Sequence, residues 1–289
     1  MKKIKGDFRY YFHTYVNQGL LNAKVLLILL GVYLFFYSGC HGISEKLSKF
    51  GMKMNPMELL SSVFGARTVY FILFSLFVLW LHCFDYREDC QYELIRLGKK
   101  KWLFRQYLFA FLTSILFYIW AVICFITMFG RQITFQNQWS EMMKTAGSTG
   151  RFSVLGISFY GILDKNAVRG VVSPLELAGI HSVLMILCFS CLGMLMITLN
   201  LLFRKNVGTL VVLAVVMLTS TVSFYVPGGF LSQCFDFINP IRIAIPKDKI
   251  VMTGMGQSLL YGVLYFCLLM YLIWIAGKRV VQNKGGQMQ

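Results

Sequence analysis

The chain has 289 residues, of which 57% are hydrophobic and 14% are charged, and its formal net charge is +16. Soluble domains carry about 25% charged residues, so this composition excludes a water-soluble globular class and indicates an integral membrane protein. In a soluble protein the positive charge would suggest nucleic acid as the partner. Here no nucleic-acid-reading motif is present, and anionic lipid together with the positive-inside rule accounts for the charge.

The N-terminal stretch 7–22 has the pattern of a helix that lies in the membrane interface. Lysines and Arg9 cluster at its start, ahead of an apolar and aromatic stripe that recurs at helical spacing. Such a stripe with basic flanks favours a helix parallel to the inner membrane surface. The stripe consists of Phe8, Tyr11, Phe12, Tyr15, Val16, Gly19 and Leu20.

Six uncharged runs are long enough to supply transmembrane helices, since a bilayer core needs about 20 apolar residues. The shortest run has 17 residues, between Arg67 and Asp85, and the longest has 30, between Lys205 and Asp236. We therefore predict an all-α membrane protein with six spans in a single transmembrane domain. The predicted spans are 25–44, 67–84, 102–129, 177–203, 207–226 and 255–277.

The distribution of lysine and arginine sets the predicted orientation. With both termini inside, the inner segments carry 16 basic residues and the outer segments carry 12 over about twice the length. The positive-inside rule therefore places both termini in the cytoplasm. The longest outer loop is then 131–175, and Arg204 and Lys205 lie in a very tight inner turn.

The charged stretch 85–105 between the second and third predicted spans holds 10 of the 40 charged residues. With the exception of Arg87, its acids come first and its bases last, which is the order that a helix dipole favours. Gly98 stands where a helix C-cap is expected. The pattern predicts a short cytoplasmic helix over 86–97 with a polar face for a soluble partner. An ordinary positive-inside loop is the alternative.

The segment 227–249 begins with Pro227 and continues through Phe235, Phe237, Asn239 and Pro240. An apolar segment broken by proline and glycine at the outer end of a span is typical of a re-entrant element, whose backbone protein must bury. We expect it to fold back toward the membrane and to help close the outer side. A plain surface hairpin is the alternative.

These features together resemble the membrane subunit of ABC-2 type transporters. The resemblance rests on six spans behind an amphipathic N-terminal helix, on the acid-then-base helix after span two, and on the Asn239-Pro240 break before span six. In the charged stretch, Arg87-Glu88 begins the family's run, 94–97 fills its leucine-rich middle, and 98–102 closes it. The chain departs from the pattern at Cys90-Gln91, where the family has Gly-Thr, and at Gly98, where the family has proline.

The resemblance implies that this chain is the permease of an exporter in a bacterial cell membrane and is not itself an enzyme. The chain has no GxxxxGK[ST] phosphate loop, so ATP and magnesium belong to a separate ATPase subunit. A second copy of the chain or a related permease would complete the pathway, and neither a cofactor nor a metal is expected in this chain. The expected ATPase-coupling residues are Arg87, Glu88, Asp89, Tyr92, Glu93 and Arg96.

The expected cargo is hydrophobic or amphipathic, because the spans are rich in Phe, Leu, Met and Tyr and nearly free of charge. Peptide-exporting members of the family, of the phenol-soluble-modulin or lantibiotic kind, make an amphipathic peptide the best expectation. A secondary transporter or channel is the alternative, although the spans hold no acid or base for ion coupling. An intramembrane enzyme is a further alternative; His41, His82 and His181 all lie near predicted span ends.

Overall fold

The computed structural model describes residues 22–64, 67–83, 98–141, 143, 173–203, 207–225 and 255–284. All regular secondary structure in these residues is helical, as predicted. The predicted interfacial helix over 7–22 lies outside the described residues, apart from Asn22. The helices are α1 (Ala23–Cys40), α2 (Gly42–Lys49), α3 (Met57–Phe64), α4 (Arg67–Cys83), α5 (Lys99–Thr127), α6 (Pro174–Leu202), α7 (Val207–Tyr225) and α8 (Met255–Lys284).

Four stretches of helix in the described residues are long and apolar enough to cross a membrane. They are Ala23–Lys49, which joins α1 and α2, Lys99–Thr127, Pro174–Leu202 and Leu259–Gln282. The second and fifth predicted spans coincide with shorter apolar stretches, Phe71–Cys83 and Val207–Leu218. The chain is therefore a helical membrane protein.

Local capping chemistry explains where several helices begin. Ser173 and Glu176 form a reciprocal capping box with Pro174 in the first helical position, so α6 begins three residues before its predicted start. Asn22 caps α1 by accepting a hydrogen bond from the backbone N–H of Lys24 at 3.0 Å. The α5 helix begins at Lys99 rather than at Trp102, directly after Gly98, whose φ is 77°.

Helix α6 is the centre of the bundle, because it packs against α3, α4, α5, α7 and α8. At mid-height an aromatic cluster joins it to α4 and α5. The ring of Phe189 lies 4.9 Å from that of Phe77 and 5.4 Å from that of Phe117, and the ring of Trp80 lies tilted against Phe117 at 5.2 Å. No Asp, Glu, Lys or Arg occurs in 106–127 of α5, 177–202 of α6 or 255–277 of α8.

The distal contacts, at the end of the bundle where α1 ends and α6 begins, join two segments far apart in sequence. Met54 pairs with Ile133 in a β-bridge, which is the only one among the described residues. Glu58 is 1% exposed. Its Oε1 accepts from the Asn55 N–H at 3.3 Å, and its Oε2 accepts from the N–H and the Oγ of Ser140, both at 2.8 Å. These bonds satisfy a carboxylate whose burial would otherwise be costly.

The structure places His181 differently from the expectation of an interfacial residue near a span end. It lies two turns into α6 and is 4% exposed. Its ring packs edge-on against Phe64 with the centroids 6.2 Å apart, and neither ring nitrogen has a hydrogen-bond partner. Packing against Phe64 of α3 thus buries this residue.

Candidate functional site

A group of polar side chains, which we call the basal cluster, connects the helices at the end opposite the distal contacts. Four helices contribute to it: α4, α5, α6 and α7. They meet at one turn of α6, at positions 198 and 200. The members of the basal cluster are His82, Tyr107, Thr198, Asn200 and Thr209.

Thr198 makes the contact with α5. Its Oγ1 lies 2.8 Å from the carbonyl of Met194, one turn earlier, and donates there. The hydroxyl of Tyr107 lies 2.6 Å from the same Oγ1 and therefore acts as the donor to it. The Tyr107 hydroxyl also lies 3.4 Å from the carbonyl of Ile273, so this tyrosine sits between α6 and α8. The bond between Tyr107 and Thr198 thus ties the start of α5 to α6.

Asn200 makes the contact with α7. Its Oδ1 accepts from the backbone N–H of Thr209 at 3.2 Å, and its Nδ2 donates to Thr209 Oγ1 at 3.3 Å. The amide of Asn200 therefore satisfies an N–H in the first turn of α7 that has no partner within that helix. Gly208 allows this approach, since a Cβ on it would lie 2.5 Å from the backbone nitrogen of Asn200.

His82 extends the connection to α4. Its Nδ1 lies 3.3 Å from Thr209 Oγ1, the same oxygen that accepts from the Asn200 amide. The last turn of α4 is thereby joined through Thr209 and Asn200 to α6.

The basal cluster lies on both sides of the segment predicted to couple to an ATPase. His82 is two residues before position 84, and Tyr107 follows Gly98 by less than three turns of α5. The coupling residues themselves, Arg87, Glu88, Asp89, Tyr92, Glu93 and Arg96, lie outside the described residues. The predicted outer residues Pro227, Phe235, Phe237, Asn239 and Pro240 also lie outside them.

The sequence reading missed the basal cluster, although one signal in it is visible. Tyr107, Thr198, Asn200 and Thr209 are polar residues inside apolar runs, each within three turns of a charged residue. Polar groups at such positions seek partners across helices. Their pairing depends on residues as far apart as 127 positions, which the spacing along one helix does not reveal.

The contribution of the Tyr107–Thr198 hydrogen bond to stability can be measured by comparison with a second tyrosine of α5, Tyr118. Tyr118 contacts Ser182 at 2.8 Å, and Ser182 donates to the Ala178 carbonyl at 2.7 Å, which repeats the geometry of Tyr107 and Thr198. We expect Tyr107→Phe and Tyr118→Phe each to lower the free energy of unfolding by about 1 kcal/mol, as one interhelical hydrogen bond is lost. Thermal unfolding of the purified chain measures both, and a loss for Tyr118→Phe alone would contradict the role of Tyr107.

The geometry of the basal cluster is that of a hydrogen-bond network between helices. The hydroxyl, amide and imidazole groups of the basal cluster bond to one another or to backbone carbonyls, and the distances of 2.6–3.4 Å place them between helices. In the part of the chain that the structure describes, no group of three or more metal-ligating side chains is present.

Comparison of the chain with protein-family models, with curated proteins and with solved structures finds no match.

Proposed function

We propose that this chain is the membrane-spanning permease subunit of an ATP-driven exporter of the ABC-2 type. The observation that carries the proposal is the basal cluster, which links both flanks of the segment 84–97 to one turn of the central helix α6. A partner that moves this segment would pull on α4 through His82 and on α5 through Tyr107. Both helices would then act on α6 and, through Asn200 and Thr209, on α7.

The proposed topology has six spans in a bacterial cell membrane, with both termini in the cytoplasm. The four long helices supply four spans, and α4 and α7 supply the second and the fifth. The 17 residues of α4 extend over about 25 Å at 1.5 Å per residue, close to the roughly 30 Å of a bilayer core. In this topology the basal cluster lies on the cytoplasmic side, where an ATPase would dock.

The proposed energy source is a separate ATPase subunit that binds ATP and magnesium and docks on the helix predicted over 86–97. Closure of the ATPase pair on ATP would favour one of two arrangements of the permease, since a ligand shifts a conformational equilibrium only by its differential affinity for the two states. Two copies of this chain, or this chain with a related permease, would enclose the pathway. The predicted re-entrant segment 227–249 would close it on the outer side.

The proposed cargo is an amphipathic peptide. The interiors of α5, α6 and α8 carry no formal charge, and the packed surfaces between α4, α5 and α6 are aromatic. A polar cargo such as a sugar or an ion requires placed polar partners along its path. The polar side chains of the basal cluster bond to one another, and those of the distal contacts also bond among themselves. Because these groups already have partners, they support an apolar or amphipathic cargo.

The coupling residues provide the direct test. The double substitution Glu88→Lys and Glu93→Lys removes favourable charge from the start of the predicted helix at a cost of about 0.3–1 kcal/mol per site, too little to unfold the chain. The larger loss is expected at the ATPase contact, about 2–5 kcal/mol for a buried charge pair. We expect normal expression, weakened co-purification of the ATPase, and loss of peptide-stimulated ATP hydrolysis.

A matched control is the double substitution Glu45→Lys and Glu141→Lys, which makes the same charge change at two exposed sites on the predicted outer side. It should leave co-purification and stimulated hydrolysis unchanged. The Tyr107→Phe variant should lower the stimulation, whereas Tyr118→Phe should not. If the Glu88 and Glu93 variant binds and stimulates its ATPase like the wild type, the stretch 85–105 is an ordinary positive-inside loop and the proposal fails.

A further inference from the structure

A groove between the first turn of α5 and the last turns of α8 forms a basic recess beside the basal cluster. Lys99, Lys100 and Leu103 line it from α5, and Trp274, Lys278 and Gln282 line it from α8. The groove is shallow and open on one side, so a group bound there would lie at its surface and not inside an enclosed cavity.

The charge around the groove is of one sign. Three lysines from two helices converge on it, and in the part of the chain that the structure describes none of them forms an ion pair. The first turn of α5 contains no acidic residue, and Gly98 offers no side chain to cap it. The lysines and the positive end of the helix dipole therefore repel one another, and an anion would remove that repulsion.

The walls of the groove place it at the level of the lipid headgroups. The Nζ of Lys278 lies 5.6 Å from the centre of the Trp274 ring, a cation–π contact that directs the ammonium group toward the groove. Tryptophan is enriched at this level in membrane proteins. Beyond Trp274, α8 exposes Leu268, Tyr271 and Leu272 by 53–57%, a face on which acyl chains pack.

We propose that this groove binds the phosphate headgroup of an anionic phospholipid. The lysines supply the charge complementarity at the open groove, and the exposed apolar face of α8 accommodates the acyl chains. Basic pockets between helices near a membrane surface bind anionic headgroups in this way. The site is independent of the proposed transport function, because it requires only that the helices cross a membrane.

Native mass spectrometry of the purified full-length chain tests the proposal, with phosphatidylglycerol and phosphatidylcholine in competition. We expect the wild type to retain phosphatidylglycerol in preference. The variant Lys99→Gln/Lys278→Gln removes two lysines that line the groove. It should weaken phosphatidylglycerol binding about 30-fold, since each lysine that lines the groove would contribute about fivefold to holding the headgroup there.

The matched control is Lys101→Gln/Arg279→Gln, which removes the same charge from exposed positions on the same two helices outside the groove. It should keep the preference, and both variants should melt at the wild-type temperature in phosphatidylcholine. Equal losses of phosphatidylglycerol binding in the two variants would overturn the proposal, because they would show that the lipid responds to the overall positive charge of the surface and not to the groove. Equal retention of both lipids by the wild type would also overturn it, as would glycerol phosphate displacing the lipid at millimolar concentration.

Discussion

The Glu58→Ala variant is expected to lose about 3 kcal/mol or more of unfolding free energy, which corresponds to a fall of roughly 6–12 °C in melting temperature. The substitution removes both carboxylate oxygens from a site that is 1% exposed. The N–H of Asn55 and the N–H and Oγ of Ser140 would lose their buried acceptor. Hydrogen bonds to charged groups are worth about 1.5–3 kcal/mol each, and buried donors left without an acceptor add a desolvation cost.

The exposed acid Glu45 is the control for this prediction. It forms one ion pair with Lys49 at 2.7 Å, and its side chain is 67% exposed. Water screens an exposed i,i+4 pair of this kind, so Glu45→Ala should shift the melting temperature very little. The melting temperature of Glu58→Gln should lie between those of Glu58→Ala and Glu45→Ala. The glutamine amide keeps one acceptor for Ser140 but turns an NH2 group toward the Asn55 N–H. Equal melting temperatures for the two alanine variants would contradict the buried role of Glu58.

The second large effect is expected for Gly208→Ala at the basal cluster. The new Cβ would lie 2.5 Å from the backbone nitrogen and 2.6 Å from Oδ1 of Asn200, and backbone cannot move aside as a flexible side chain can. Overpacking of this kind costs about 1–3 kcal/mol. Since α7 must withdraw from α6, the two Asn200–Thr209 bonds and the His82 contact should be lost as well. Thermal unfolding measures the stability, and peptide-stimulated ATP hydrolysis measures the coupling.

The control is Gly179→Ala on α6, where an added Cβ meets nothing within 4 Å. A helical glycine with open space around it should gain stability when replaced by alanine, by about 0.5–1 kcal/mol. The two glycine variants should therefore shift the melting temperature in opposite directions. A stable Gly208→Ala variant with wild-type coupling would show that α6 and α7 need not approach so closely.

Uncharged runs in the sequence predicted the helical class and the four long helices, because a bilayer imposes one length on all of them. The ends of the helices were less predictable. The apolar run predicts a start of α5 at Trp102, although Lys99 is already helical. Likewise α8 continues through Lys278 and Arg279 to Lys284, beyond the predicted end at 277.

The contacts between helices could not be predicted from spacing along the chain. The Asn55-Pro56-Met57-Glu58 sequence has the form of a helix start, but Ser140, the partner of Glu58, lies 82 residues away. The basal cluster depends in the same way on the crossing of α5, α6 and α7. The predicted coupling and outer residues lie outside the described residues, so their roles stay predictions.

The uncharged interiors of α5, α6 and α8 determine how the membrane potential acts on the protein. Moving one elementary charge through 100 mV changes the free energy by about 2.3 kcal/mol, which is how voltage sensors work. These three helices carry no such charge in 106–127, 177–202 and 255–277. Sliding or tilting them within the bilayer therefore displaces no gating charge and is electrically silent. Under the proposed transport function, a voltage dependence would accordingly not report the rearrangement of these helices.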